Sequence, residues 1–320
     1  MSLYEAFGVT PPNTDTKTIP LDKVVPVGTL DTAPDKGFVF EYRTLRRALK
    51  NIGERKPVWC WGPAGCGKTE FFVQIAARLR RPAHVISFGE ETSIRELLGT
   101  FRLSKAEGNG FETRFEYGLL AKAIVDPMAI VILDEFNMSP PGVSAQLNRL
   151  LEVGTISIPE TGEAIKAADG VTFVVTANTP GSSDTTGIYA GSQVQNGATR
   201  SRFAGLKMGY LAPEKEEEVV VRATPSLNDN VKLPGSTKRT SELLVECGRM
   251  VRDLIDDGAV SLPFTVRNLK EWARSTLLLR DIRDGFMDAY GDLLTEDELT
   301  PVAEVFHKVF GVRIVDKDEQ

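Results

Sequence analysis

The residues Gly62-Pro63-Ala64-Gly65-Cys66-Gly67-Lys68-Thr69 place glycines, a lysine and a hydroxyl in an order suited to holding a polyphosphate. Glycines let successive backbone N–H groups turn toward phosphate oxygens, and the helix predicted over Glu70 to Leu79 adds the partial positive charge of its N-terminus. Lys68 then reaches the β and γ phosphates, and the Thr69 hydroxyl suits a Mg ion. Cys66 serves mainly through its backbone. A chance glycine turn is the plainer alternative, but a strand before the loop and a helix after it weigh against chance.

A second constellation follows downstream. The run Ala129-Ile130-Val131-Ile132-Leu133-Asp134-Glu135 is an apolar strand ending in two carboxylates. Alone it reads as a solvated strand end. Beyond a phosphate loop, Asp134 becomes a residue for the Mg shell and Glu135 a base that orients or deprotonates a water for attack on the γ phosphate. Val171 to Thr176 is a further strand that runs out at Ala177-Asn178, bringing a neutral amide to the same sheet edge. Asn178 suits a γ-phosphate reporter, or else a turn residue before Pro180. Arg200 and Arg202 offer charge to stabilise phosphoryl transfer in a neighbouring subunit, or else a solvated helix end.

These residues need a scaffold that brings strand ends together. Strands predicted at Pro57 to Trp61, His84 to Phe88, Ala129 to Leu133 and Val171 to Thr176, separated by helical or hairpin sequence, give a parallel α/β sheet in a three-layer core. A short amphipathic helix is expected at Tyr42 to Asn51. Two hairpins interrupt the core over about 100–116, turning at Gly108-Asn109-Gly110, and about 154–168, turning near Thr161-Gly162. Phe111 and Phe115 are expected to pack their hairpin. The core spans 36–212. Ahead of it, prolines 11, 12, 20, 26 and 34 point to an extended arm over 1–35. After Pro213 helical patterns dominate, at Glu214 to Arg222, Ser241 to Asp256, Leu269 to Arg280 and Val302 to Phe310, so 213–320 reads as a smaller helical lid.

Composition narrows the function classes. The 320 residues are 42% hydrophobic, enough for one large and one smaller domain. A net charge of −6 and a pI near 5.3 do not favour nucleic acid as a partner. No apolar run approaches the roughly 18 residues of a membrane span and the N-terminus lacks a signal peptide, so a soluble, cytoplasmic protein is expected. Three cysteines without a CxxC pair support neither a disulfide framework nor a zinc site. With only two histidines, metal chemistry is expected to enter through nucleotide-bound Mg, and His84 is read as structural.

At these residues the chain resembles the AAA+ superfamily of P-loop NTPases, and within it the MoxR-type branch that includes the CobS subunit of aerobic cobaltochelatase. The resemblance covers most of the chain. Its most specific part is Ala177-Asn178-Thr179-Pro180-Gly181, continued by Asp184-Thr185-Thr186-Gly187-Ile188-Tyr189 and Gly191-Ser192-Gln193. Phe264-Thr265-Val266-Arg267, Trp272 and the segment from Phe286 to Gly311 are similar to the CobS lid. By position it implies that Asn178 is sensor 1, Arg202 the arginine finger and Arg267 the lid arginine that reads bound nucleotide. The family usually carries an acidic residue before the finger; Ser201 stands here, which keeps Arg200 in contention. The resemblance also implies ATP and Mg as cofactors and a homo-oligomeric, hexameric ring that transmits hydrolysis to a partner. For a cobaltochelatase that partner would be a CobT-like protein with a von Willebrand-like domain, together with a large subunit inserting cobalt into a corrin. The alternatives are a MoxR-like remodelling chaperone for another protein complex and a nucleotide-gated assembly switch with little turnover.

Overall fold

The fold is given by a computed structural model that describes residues 3–9, 21, 25–30, 33–105, 111–181, 194–233 and 236–314. These divide into two compact units. One comprises 1–35, 40–62 and 68–208; the other comprises 36–39, 63–67 and 209–320. The glycine-rich loop thus groups with the second, helical unit.

The first unit is built on a five-stranded sheet. Ahead of it lie a single helical turn, α1 (Leu3–Phe7), which precedes the proline-rich stretch, and α2 (Tyr42–Gly53). Glu41 caps α2 by accepting from the N–H groups of Arg43 and Thr44. The strands are β1 (Val58–Trp61), β2 (Ala83–Ser87), β5 (Ile130–Asp134), β8 (Thr172–Ala177) and β9 (Ala204–Lys207). Their spatial order is β2-β5-β8-β1-β9, with every pairing parallel. Parallel crossovers place helices on both faces, and so β5 is buried along all but its last residue and β8 along its whole length. The strand β9 was not foreseen. Ala-Gly-Leu-Lys has one strongly apolar residue and an interior glycine, and it holds its place as an edge strand along β1 with only Leu206 buried.

Helices α3 (Lys68–Arg78), α4 (Ile94–Leu98), α5 (Leu119–Ile124), α6 (Pro141–Val153) and α7 (Gly197–Arg200) complete this unit. Two antiparallel hairpins project from it, β3 (Gly99–Lys105) with β4 (Phe111–Tyr117), and β6 (Thr155–Ser157) with β7 (Ala164–Lys166). The second is anchored in the core by Ile156, Ile158 and Ile165. In the first, the half-buried Phe115 ring lies edge-on to Phe101 and Tyr117. Phe111 departs from the expected packing. It is 70% exposed, because it pairs with Lys105 at the turn end of the hairpin, six residues along the strand from the Gly99–Tyr117 pair at its base. The expected Gly108-Asn109-Gly110 turn lies outside the described residues, as do most of the proline-rich arm and Asp184 to Ser192. His84 Nε2 donates to the Asp126 carboxylate at 2.7 Å, a half-exposed polar pair at the start of β2.

The second unit packs α8 (Pro213–Ala223), α9 (Leu227–Asn230), α10 (Thr240–Asp256), α11 (Val266–Leu279), α12 (Ile282–Ala289) and α13 (Glu296–Phe310) around an aromatic cluster of Phe264, Trp272, Phe286, Tyr290 and Phe306. Helices α11 and α13 begin earlier than the apolar periodicity alone implies, because Thr265 and Thr295 close capping boxes with Asn268 and Glu298. Pro301 lies inside α13 without ending it. Cys60, Cys66 and Cys247 are buried and form no disulfide, and burial pushes the Cys247 thiol up. Among the described residues no helix is long and apolar enough to cross a membrane.

Candidate functional site

In a parallel sheet every strand delivers its carboxyl end to the same edge, and there the first unit gathers its polar side chains. Register does the positioning. Cys60 of β1 lies opposite Thr176 of β8, and Leu133 of β5 opposite Val175, so Asp134 emerges beside Thr176.

Thr69, in the first turn of α3, donates its hydroxyl to Asp134 Oδ1 at 2.6 Å. Thr176 donates to the same oxygen. Lys68 is buried at the start of α3, and its ammonium donates to the Gly62 carbonyl and to Asn178 Oδ1, each at 2.9 Å. Thus Lys68, Thr69, Asp134 and Asn178, expected from separate motifs, meet at one sheet edge as two hydrogen-bonded groups, Lys68 with Asn178 and Thr69 with Asp134 and Thr176. Glu135 follows Asp134 in a left-handed turn, with φ 54° and ψ 35°. For a residue with a Cβ this conformation costs on the order of 1 kcal/mol. It turns the chain sharply at the strand end and leaves the Glu135 side chain exposed, with its N–H reaching Thr176 Oγ1 at 3.4 Å.

The donor set suits Mg. Thr69 and Asp134 supply adjacent hard oxygens, and Mg commonly takes one or two protein oxygens while phosphate and water fill the rest of its octahedron. Such an ion would draw charge from the phosphate oxygens.

The loop Pro63–Gly67 belongs to the second unit. Gly65 and Gly67 take left-handed φ values of 67° and 89°, the backbone state that forms an anion-binding nest. Gly65 also lies against Thr265, where an added Cβ would fall 2.2 Å from the threonine Cβ. Thr265 caps α11, and Arg267 sits exposed in that helix's first turn. There a cation opposes the helix dipole and gains nothing locally, which suits a side chain kept for an anion.

The two finger candidates differ. Arg202 donates through Nε and a terminal nitrogen to Glu152 Oε2, at 3.2 and 3.1 Å, and to the Ala198 carbonyl. Arg200, at the end of α7, is exposed, and its aliphatic stem lies beside Gly181.

Three further residues escaped the sequence reading. Thr176 lies in the fully buried β8, where a hydroxyl demands a partner and so carries a signal. Asn137, buried just past Asp134-Glu135, accepts from the Asn178 N–H at 3.4 Å. Tyr210 donates its hydroxyl to the Ala64 carbonyl at 2.8 Å, a contact no local pattern announces.

Residues 57–203 match the family described as AAA domain (dynein-related subfamily). The chain is 27% identical to the aerobic cobaltochelatase subunit CobS of Sinorhizobium sp, over 98% of this chain and 91% of that protein. It is 34% identical to protein NorQ of Paracoccus denitrificans over 52% of this chain, and this match spans 57% of NorQ. A solved mutant of RuvB from Thermotoga maritima superimposes with a TM-score of 0.50 over 91% of this chain and 89% of that chain, at 15% identity, a likeness of fold alone. A parallel five-stranded core, a helical unit after it and a family match that runs from the first strand to the foot of the last give this chain an AAA+ fold with an AAA domain of the dynein-related subfamily at residues 57–203.

Proposed function

We propose that the chain is a Mg-ATP-dependent motor that hydrolyses ATP within a hexameric ring and passes the resulting motion to a partner. The observation that carries this reading is the gathering of Lys68, Thr69, Asp134 and Asn178 at one sheet edge, where Lys68 donates to Asn178 and Thr69 donates to Asp134. Lys68 and the loop N–H groups hold the phosphates, Thr69 and Asp134 hold Mg, and Glu135 activates the attacking water. Asn178 and Arg267 read the γ phosphate, and Arg202 supplies charge across the subunit boundary with Arg200 as the competing finger. Similarity to CobS along nearly the whole chain supports a role as a cobaltochelatase subunit acting with a CobT-like partner and a large corrin-binding subunit. The alternative, a MoxR-like remodelling chaperone for another protein complex, draws on the same AAA core, which the chain shares with NorQ.

The test is ATP hydrolysis by the purified chain beside Glu135→Gln, with assembly size measured with and without ATP. Turnover that vanishes in the variant, together with a nucleotide-dependent ring, supports the motor. Tight ATP binding without turnover, in the chain alone and with candidate partners, sinks it in favour of a switch.

A further inference from the structure

The hydroxyl of Tyr210 holds the Ala64 carbonyl at 2.8 Å, inside the glycine-rich loop. A peptide unit is planar and trans, so fixing the Ala64 carbonyl turns the N–H of Gly65 to the opposite side of that plane. Tyr210 itself is held from below. The Arg252 guanidinium stacks on its ring, 3.7 Å from the centroid. One terminal nitrogen of Arg252 donates to both carboxylate oxygens of Glu216, at 2.8 and 2.9 Å, and Nε donates to the Phe264 carbonyl at 2.9 Å. Glu216 is fully buried and Arg252 is 7% exposed. Phe264 precedes Thr265, the cap of α11 against which Gly65 packs. The contacts therefore close a circuit from the loop through Tyr210 and Arg252 to the start of the helix that carries Arg267, and back to the loop.

A buried ion pair is weak support for stability, because desolvation offsets most of its Coulomb attraction. What Arg252 provides is geometry. Its planar fork orients a carboxylate, a carbonyl and an aromatic ring at once, which no apolar residue of the same volume could do.

Building on the reading that the loop binds ATP, we propose that Tyr210 is a positioning residue, fixed by the Glu216–Arg252 pair. It presets the loop's N–H groups and ties the loop to α11, so that the loop and Arg267 engage nucleotide phosphates as one body.

The experiment uses the full chain with Tyr210→Phe, which keeps the ring on Arg252 and removes only the hydroxyl. Equilibrium binding of Mg-ATP and steady-state hydrolysis are measured for the wild type, Tyr210→Phe, Arg267→Ala and the double variant, with thermal melting of each unliganded chain as the check on folding. Loss of one net hydrogen bond predicts that Tyr210→Phe weakens ATP binding and raises KM by about 3- to 10-fold, with kcat changed by less than about 2-fold. In the Arg267→Ala background the same change has a smaller effect, because the two groups act through one body. Unchanged ATP affinity in Tyr210→Phe, or effects of the two substitutions that simply multiply, overturns the proposal. A wild-type chain that fails to bind Mg-ATP at all overturns the ATP-binding reading beneath it.

Discussion

Thr176→Val removes a hydroxyl from the buried heart of the cluster while keeping the shape of the side chain. Thr176 is 1% exposed, donates to Asp134 Oδ1 and accepts weakly from the Glu135 N–H at 3.4 Å. The long second contact contributes little. A hydrogen bond to a charged acceptor contributes about 1.5–3 kcal/mol, and Asp134 keeps its other tether from Thr69 at 2.6 Å. A loss of about 2 kcal/mol in the orientation of Asp134 corresponds to roughly 30-fold, inside the 10- to 100-fold range typical for residues that orient a metal ligand. The assay is hydrolysis at saturating ATP with free Mg varied, beside thermal melting of the unliganded chain. The expected result is a half-saturating Mg concentration raised by about 10- to 100-fold and a melting temperature changed by only a few degrees, since valine suits the apolar strand. An unchanged Mg requirement in a folded Thr176→Val chain would refute the claim that this hydroxyl holds Asp134 for the ion.

For the finger, Arg202→Ala should cut turnover by about 10³-fold or more while leaving ATP binding intact, whereas Arg200→Ala should not; the reverse pattern, read by hydrolysis and binding side by side, reassigns the role to Arg200. Arg81 is buried at the opposite end of the sheet, donating to the Met128 and Gly170 carbonyls and to Thr172, and burial together with the nearby Arg55 charge lowers its pKa to about 10. It stays charged at neutral pH, and Arg81→Met should destabilise the first unit by roughly 2 kcal/mol and lower its melting temperature by about 4–8 °C. Glu298 accepts from the Ser261 hydroxyl and N–H and from the Thr295 N–H, which hold its carboxyl down at about 2 against an ordinary 4.5. A carboxylate depressed on folding adds stability that is complete above about pH 4.5 and is lost as pH falls toward 2. Melting curves across that window should therefore fall more steeply for the wild type than for Glu298→Gln.

Much of this arrangement was legible in the chain because the signals are local. A strand must lead into Gly62 and a helix must leave through Lys68 and Thr69 for the loop to cradle a phosphate, and beyond such a loop the apolar run into Asp134 reads as a buried strand with its end at the sheet edge. The helices of the second unit showed through their periodicity, yet their first turns did not, because a cap such as Thr265 reveals itself only by the N–H it accepts from. The short β9 stayed hidden for the opposite reason. Its four residues have little intrinsic strand character, and the free edge of β1 makes them a strand.

By itself, the order of residues determined which groups could do chemistry and that strand ends would deliver them to one edge, since motif spacing and hydrophobic period act along the chain. Only the tertiary structure decided what those groups touch. The sheet register brings Thr176 beside Asp134, and the left-handed turn at Glu135 leaves its carboxylate exposed. Glu152 holds Arg202, and Tyr210 reaches back across 146 residues to the Ala64 carbonyl. Such pairings are settled by register, close packing and the demand that buried polar groups find partners, and these act between segments that the linear sequence leaves far apart.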